Sequence, residues 1–131
     1  MLRTPMSQLT LRLINERFAI HSLSETATIP AEVFTATIFF IAKTYDEISI
    51  VLPQHIVIPS DEVELNWQAL EVVGPLDFTM TGILSNISTV LANQKISIFA
   101  ISTFDTDYIL VKEDCINDAI EALRDNQYLV I

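Results

Sequence analysis

The chain has 131 residues, half of them apolar, with seven basic and seventeen acidic side chains and a formal net charge of -10. That length fits one ordinary domain or two small ones sharing a core, and the charge repels phosphate backbones and anionic lipid surfaces. A nucleic-acid or membrane-surface binder is thereby excluded, and a small or cationic partner is favoured. The single cysteine, Cys115, has no internal disulfide partner, and "MLRTPMSQLTLRL" lacks an apolar core followed by a cleavage site. No apolar run reaches the length of a membrane span, so a cytoplasmic protein is expected. So much apolar surface in so small a chain also predicts a buried subunit interface, that is, a homodimer.

In chain order, "LTLRLI" reads as a strand and "RFAIHSL" (Arg17 to Leu23) as the next. "SETATIPAEVFTAT" offers only a remnant of a helix, and "FIAKTYDEISIVLP" (Phe40 to Pro53) is a hairpin. "VIPSDEVEL", with Pro59 and an acidic cluster, reads as a linker near residues 58–65. A strand over about Trp67 to Val73 then leads through Gly-Pro into a helix over about Phe78 to Gln94, striped by Ile83, Ile87, Val90 and Leu91. Two strands follow, about Ser97 to Thr103 and Tyr108 to Lys112. A second helix, about Cys115 to Asn126, is capped by Asp114 and striped by Ile116, Ala119, Ile120 and Leu123, and "YLVI" closes as a strand.

Two parts of this series repeat. "FIAKTYDEISIVLP" aligns with "FAISTFDTDYILVK" at an offset of 59, so that Thr44 meets Thr103, Tyr45 meets Phe104 and Asp46 meets Asp105. Upstream, "RFAIHSL" aligns with "WQALEVV" at an offset of 50, which leaves the first copy short of most of a helix. The second copy, residues 63–131, has the order βαββαβ. This predicts an α+β, ferredoxin-like, four-stranded antiparallel sheet with both helices on one face. The first, residues 1–62, is a degenerate, strand-rich and helix-poor copy of it.

Both glycines, Gly74 and Gly82, fall in "GPLDFTMTG" at the turn from strand to helix. Gly74 and Asp77 are either a tight turn with an ordinary helix cap or a place where backbone and helix-end N–H groups meet a carboxylate. In a βαββαβ unit the end of the first strand lies beside the start of the third, which brings "STFDTD" to the same edge. That segment is either a hairpin turn or a source of Thr103, Thr106 and Asp107 for an ammonium or basic side chain. Asp107 is the conspicuous residue, because a carboxylate at the root of the buried run "YILV" is costly unless a cation meets it. His21 and His55 have no second ligand at metal spacing, Cys115 has no nearby histidine base, and no phosphate loop or nucleophilic triad is present. No catalytic site, metal or cofactor is expected. Aromatics on the middle strands lack the basic neighbours that an RNA-binding sheet needs.

The run "GPLDFTMTGILSNISTVLANQKISIFAISTFDTDYILVKED" strongly resembles ACT domains, in particular small bacterial tandem-ACT proteins and their relatives, the regulatory region of lysine-sensitive aspartokinase and the CASTOR-type arginine sensors. The resemblance covers residues 66–131 and implies a regulatory, non-catalytic protein that binds an amino acid between ACT units and reports to a protein target. It further implies that the ligand is held by Gly74, Leu76 and Asp77 of the turn and by the T-(F/Y)-x-x-D element, here Thr103, Phe104 and Asp107. Ser97 and Ile98 would come from the second strand of a facing unit. The first copy departs from the pattern, with Ser24 in place of Gly74 and Ile48 in place of Asp107. The competing reading is a dimeric, ligand-free interaction module of the same fold.

Overall fold

The structure is a computed structural model and describes residues 9–73 and 82–131. Its strands are β1 (Thr10–Leu13), β2 (Phe18–Leu23), β3 (Phe40–Lys43), β4 (Ile48–Pro53), β5 (Glu62–Val73), β6 (Ile98–Ser102), β7 (Asp107–Lys112) and β8 (Leu129–Val130), and its helices are α1 (Ile83–Asn93) and α2 (Ile116–Asp125). They form two compact units, one of residues Asn15–Trp67 and one of Gln68–Ile131 together with the N-terminal strand β1. The first six residues of β5 belong to the first unit and the last six to the second.

In the unit Asn15–Trp67 the strand order is β3-β4-β2-β5, every pair antiparallel. It contains no α-helix, only a 3-10 turn at Ala31–Thr35. The β-branched run "ISIVLP" suits a strand, and its alternate residues Ile48, Ile50 and Leu52 point to one face. There they join Leu23, Val33 and Ile58 in a small apolar core. The expected linker is strand from Glu62 onward, because "EVEL" alternates and its backbone groups pair with β2. A register shift between Phe18 and Ile20 marks a bulge in β5, where Asn66 adopts φ 67°. Asparagine is among the few side chains that tolerate this left-handed backbone. Gln54 clamps it, donating from Nε2 to Asn66 Oδ1 at 3.0 Å and accepting the Asn66 N–H at its Oε1.

The second unit has the order β6-β7-β5-β1-β8, with a core of Leu70, Val72, Ile109 and Val111 from the sheet against Ile87 and Leu91 of α1 and Ile116, Ala119 and Leu123 of α2. This is the ferredoxin-like arrangement with one correction to the expected four antiparallel strands. β1 is inserted between the first and last strands of the unit, antiparallel to β5 and parallel to β8. The physical reason is visible in its four residues. Leu11 is fully buried in the core while Arg12, on the other face, pairs with Glu71 across the ladder. The two-residue β8 is then tied to the N-terminal segment by Leu129 N–H to Leu9 O and Ile131 N–H to Leu11 O. The start of the second helix also differs. Glu113–Cys115 form a 3-10 turn, Cys115 occupies the cap position, and no side chain caps α2, so Asp114 has no capping role. The expected start of the first helix, residues 78–81, lies outside the described residues.

The bulge gives a direct test of the backbone constraint. Asn66→Ala should lower stability by about 1–2 kcal/mol, the cost of losing asparagine's local polar tolerance of the left-handed region together with the Gln54 bond. Asn66→Gly should lose clearly less. Equal losses in urea denaturation would show that the φ of this residue is not what selects asparagine.

Candidate functional site

The hairpin β6–β7 runs in the register Ile98↔Val111 to Ser102↔Asp107, so Ser102 and Asp107 stand directly opposite each other at its root. Its turn is braced by one side chain. Thr103 donates its N–H to Thr106 O at 2.8 Å, its hydroxyl lies 3.0 Å from the same oxygen, and it accepts the Thr106 N–H at 3.2 Å. Asp105 is exposed in the bend, and Phe104 at the tip is 82% exposed. Asp107 itself is half-buried, and one of its carboxylate oxygens accepts a hydrogen bond from the Ser102 hydroxyl. Among the described residues no Lys, Arg or His forms an ion pair with it.

Two further contacts fix this end of the unit. Thr106 donates its hydroxyl to the carbonyl of Val72, which joins the start of β7 to the end of β5, the juxtaposition expected from the topology. On the other face, Tyr108 donates to Glu71 at 3.3 Å, and Glu71 accepts from Arg12 at 3.3 Å. Burial, then the Glu71 charge and hydrogen bond, push the Tyr108 phenol above its ordinary range, with Asp105 adding to the effect. Side chains alternate along the strand, so Asp107, Ile109 and Val111 form one row on the face that carries α1 and α2. Asp107 is the polar end of an otherwise core-facing row.

Thr103, Phe104 and Asp107 are therefore brought together. Ser97 lies just ahead of β6 and Ile98 starts it, at the opposite end of the hairpin and roughly 14 Å of extended chain from Ser102. Gly74, Leu76 and Asp77 lie outside the described residues. Sequence reasoning overlooked Ser102, yet the signal was available. A four-residue turn at 103–106 makes residues 102 and 107 partners.

The unit Asn15–Trp67 contains the same hairpin. Its register, Phe40↔Val51 to Lys43↔Ile48, is that of β6–β7 shifted by 59 residues, and Thr44 braces the turn through Glu47 just as Thr103 does through Thr106. The root differs. Ile48 is buried where Asp107 carries its carboxylate, and Lys43, opposite it, donates to the backbone oxygen of Glu25. The upstream offset of 50 needs correction, because an even–odd slip puts a strand's residues on the wrong face. Leu23 faces one core and Leu70 and Val72 the other, so the equivalent positions are 49 apart, with Leu23 matching Val72 and His21 matching Leu70.

A family model described as ACT domain matches residues 62–125. The chain belongs to the ACT domain family. It is 35% identical over 125 residues to the human cytosolic arginine sensor for mTORC1 subunit 1, an alignment that covers 88% of this chain and 38% of the sensor. The chain thus spans well under half the length of the curated relatives it matches. Among solved structures, an Agrobacterium tumefaciens protein superimposes with a TM-score of 0.87 at 30% identity, covering 96% of this chain and 94% of that one. The ligand-free regulatory subunit of Thermus thermophilus aspartate kinase has the same fold, with a TM-score of 0.62 at 11% identity, covering 88% and 95%. Among the described residues no helix of this ACT protein is long and apolar enough to cross a membrane.

The contact between Thr106 and Val72 should be structural as well as positional. Thr106→Val removes the donor to a partly buried carbonyl and should destabilise the chain by about 1–2 kcal/mol in denaturant titration. Glu47→Val at the equivalent turn position, where no such side-chain bond to a strand carbonyl is formed, should change stability by less than half as much.

Proposed function

We propose that this chain is a non-catalytic regulatory protein that binds an amino acid at an interface between ACT units, built as a complete unit over residues 63–131 preceded by a degenerate copy over 1–62. The observation that carries the proposal is the half-buried Asp107, set by a braced turn and a serine hydroxyl at the open end of a core-facing row, within the segment that matches the ACT model. A carboxylate so placed suits the cationic group of a ligand better than a solvated turn. Thr103 and Phe104 flank it, and Gly74, Leu76 and Asp77 are assigned to the ligand's carboxylate end. Ser97 and Ile98, remote from Asp107 within one unit, fit a contribution from a facing unit. That requirement supports a cytoplasmic homodimer that reports to a protein target. Arginine leads the candidate ligands, because the human relative is by name an arginine sensor.

A thermal-shift panel of the twenty amino acids tests this directly. A ligand at 100 times its dissociation constant should add about 2.7 kcal/mol of stability, and a selective response is expected from a cationic amino acid. A flat panel would favour the ligand-free interaction module instead. With a responding ligand in hand, Asp107→Asn should weaken binding by roughly 2–5 kcal/mol, much of it the cost of a buried, unpaired ligand charge. Asp105→Asn, in the exposed bend, should cost well under about 1 kcal/mol. Equal losses from the two substitutions would remove Asp107 from the site. Light scattering at micromolar protein should give the mass of a dimer.

A further inference from the structure

His21 lies on β2 between Ile50 of β4 and Val63 of β5, and it is buried, only 4% exposed. Its Nδ1 is 3.1 Å from the Ser60 hydroxyl oxygen, while its Nε2 is buried and reaches no hydrogen-bond partner among the described residues. The position is a core position. Its structural counterpart in the other unit, Leu70, is fully buried leucine. A buried imidazole with an unsatisfied nitrogen is destabilising relative to leucine at such a place, so the residue is not explained by packing.

We propose that His21 is a proton-operated latch on the unit Asn15–Trp67, which keeps the loop carrying Ser60 closed over β2 while the imidazole is neutral and loosens it when the imidazole is protonated. In the neutral ring, an Nδ1–H donated to Ser60 leaves Nε2 as a bare acceptor, the cheaper of the two buried orphans. Protonation turns Nε2 into a buried charged donor with no hydrogen-bond partner among the described residues. Among the described residues, no element packed against the ring offers a counter-charge. β4 presents Ile50 and β5 presents Val63, with Glu62 and Glu64 on the opposite face of that strand. The loop presents Ser60, followed by the exposed Asp61, whose backbone N–H is held by Ser22 O. Lys43 lies at the hairpin end and donates to the backbone oxygen of Glu25, whose carboxylate accepts from the Ser24 hydroxyl.

Burial lowers the His21 pKa from its ordinary 6.5, and desolvation is the cause. The sign follows. A folded value below the unfolded one contributes stability that is complete above about pH 6.5 and is lost as pH falls toward the folded value. The unit has no α-helix and a core of six buried apolar residues, so it has little reserve against that loss.

Amide hydrogen exchange on the intact chain, corrected for the intrinsic pH dependence of exchange, tests the latch. Protection in β2 and β4 should fall as pH drops below 6.5, by up to about tenfold per pH unit before levelling off, well beyond the change in β6 and β7. His21→Leu should make β2 and β4 as insensitive to pH as β6 and β7. His55→Gln, which alters the only other histidine, exposed and 3.6 Å from Glu16, should leave the response in place. An undiminished response in His21→Leu overturns the proposal. So does an NMR titration of the wild-type chain that finds the His21 imidazole protonating at pH 6.5 or above, a measurement that decides the matter even if His21→Leu does not fold.

Discussion

A β-ladder gives each side chain one of two faces, and the Thr103-braced turn decides which face Asp107 receives. Moving the register of β7 against β5 and β6 by one residue would send Asp107 to the face of Glu71, where a second carboxylate is already present. As it stands, Asp107 shares a row with Ile109 and Val111 and is carried on the face of the two helices. The hydroxyls of Thr103, Thr106 and Ser102 each hold one element of that geometry, and none of them is costly in sequence terms. The position of Asp107 is therefore a consequence of register, secured by short side chains near a turn.

The same hairpin occurs in both units with different outcomes because the covering differs. In the second unit α1 and α2 supply Ile87, Leu91, Ile116, Ala119 and Leu123, which bury one face of the sheet and leave its far end open for a polar residue. In the first unit the cover is a 3-10 turn and loops, and the root of the hairpin is Ile48, buried among apolar neighbours. One frame thus carries a carboxylate where helices make the core, and an isoleucine where loops do. The buried His21 belongs to this second, thinner core, and its cost is felt there more than it would be under two helices.

Much of this arrangement was legible in the sequence. The offset of 59 predicts the hairpin registers residue for residue, because identical turn chemistry at Thr44 and Thr103 fixes loop length and loop length fixes pairing. The helix stripes follow from 3.6-residue periodicity: Ile87, Leu91, Ile116, Ala119 and Leu123 are buried, while Ile83, Val90 and Ile120 are partly buried against the same core. Three features were not legible, each for a stated reason. β1 joins the second unit because strand pairing is decided by distant backbone partners, which periodicity does not report. Asp114 does not cap α2 because a 3-10 turn places Cys115 at the cap. The 50-residue offset misplaced β2 because apolar residues stand on both faces of "FAIHSL", so matching letters could not distinguish one parity from the other.

The central claim is that a ligand amino acid meets the root of the second hairpin and not the first. Chemical-shift mapping of the labelled chain, titrated with the amino acid that stabilises it most, examines that claim at residue resolution. The account predicts that the largest perturbations cluster at Ser102 to Asp107, with the equivalent residues Lys43 to Ile48 left nearly unchanged. Perturbations centred on Lys43 to Ile48, or spread without a maximum near Asp107, would contradict it.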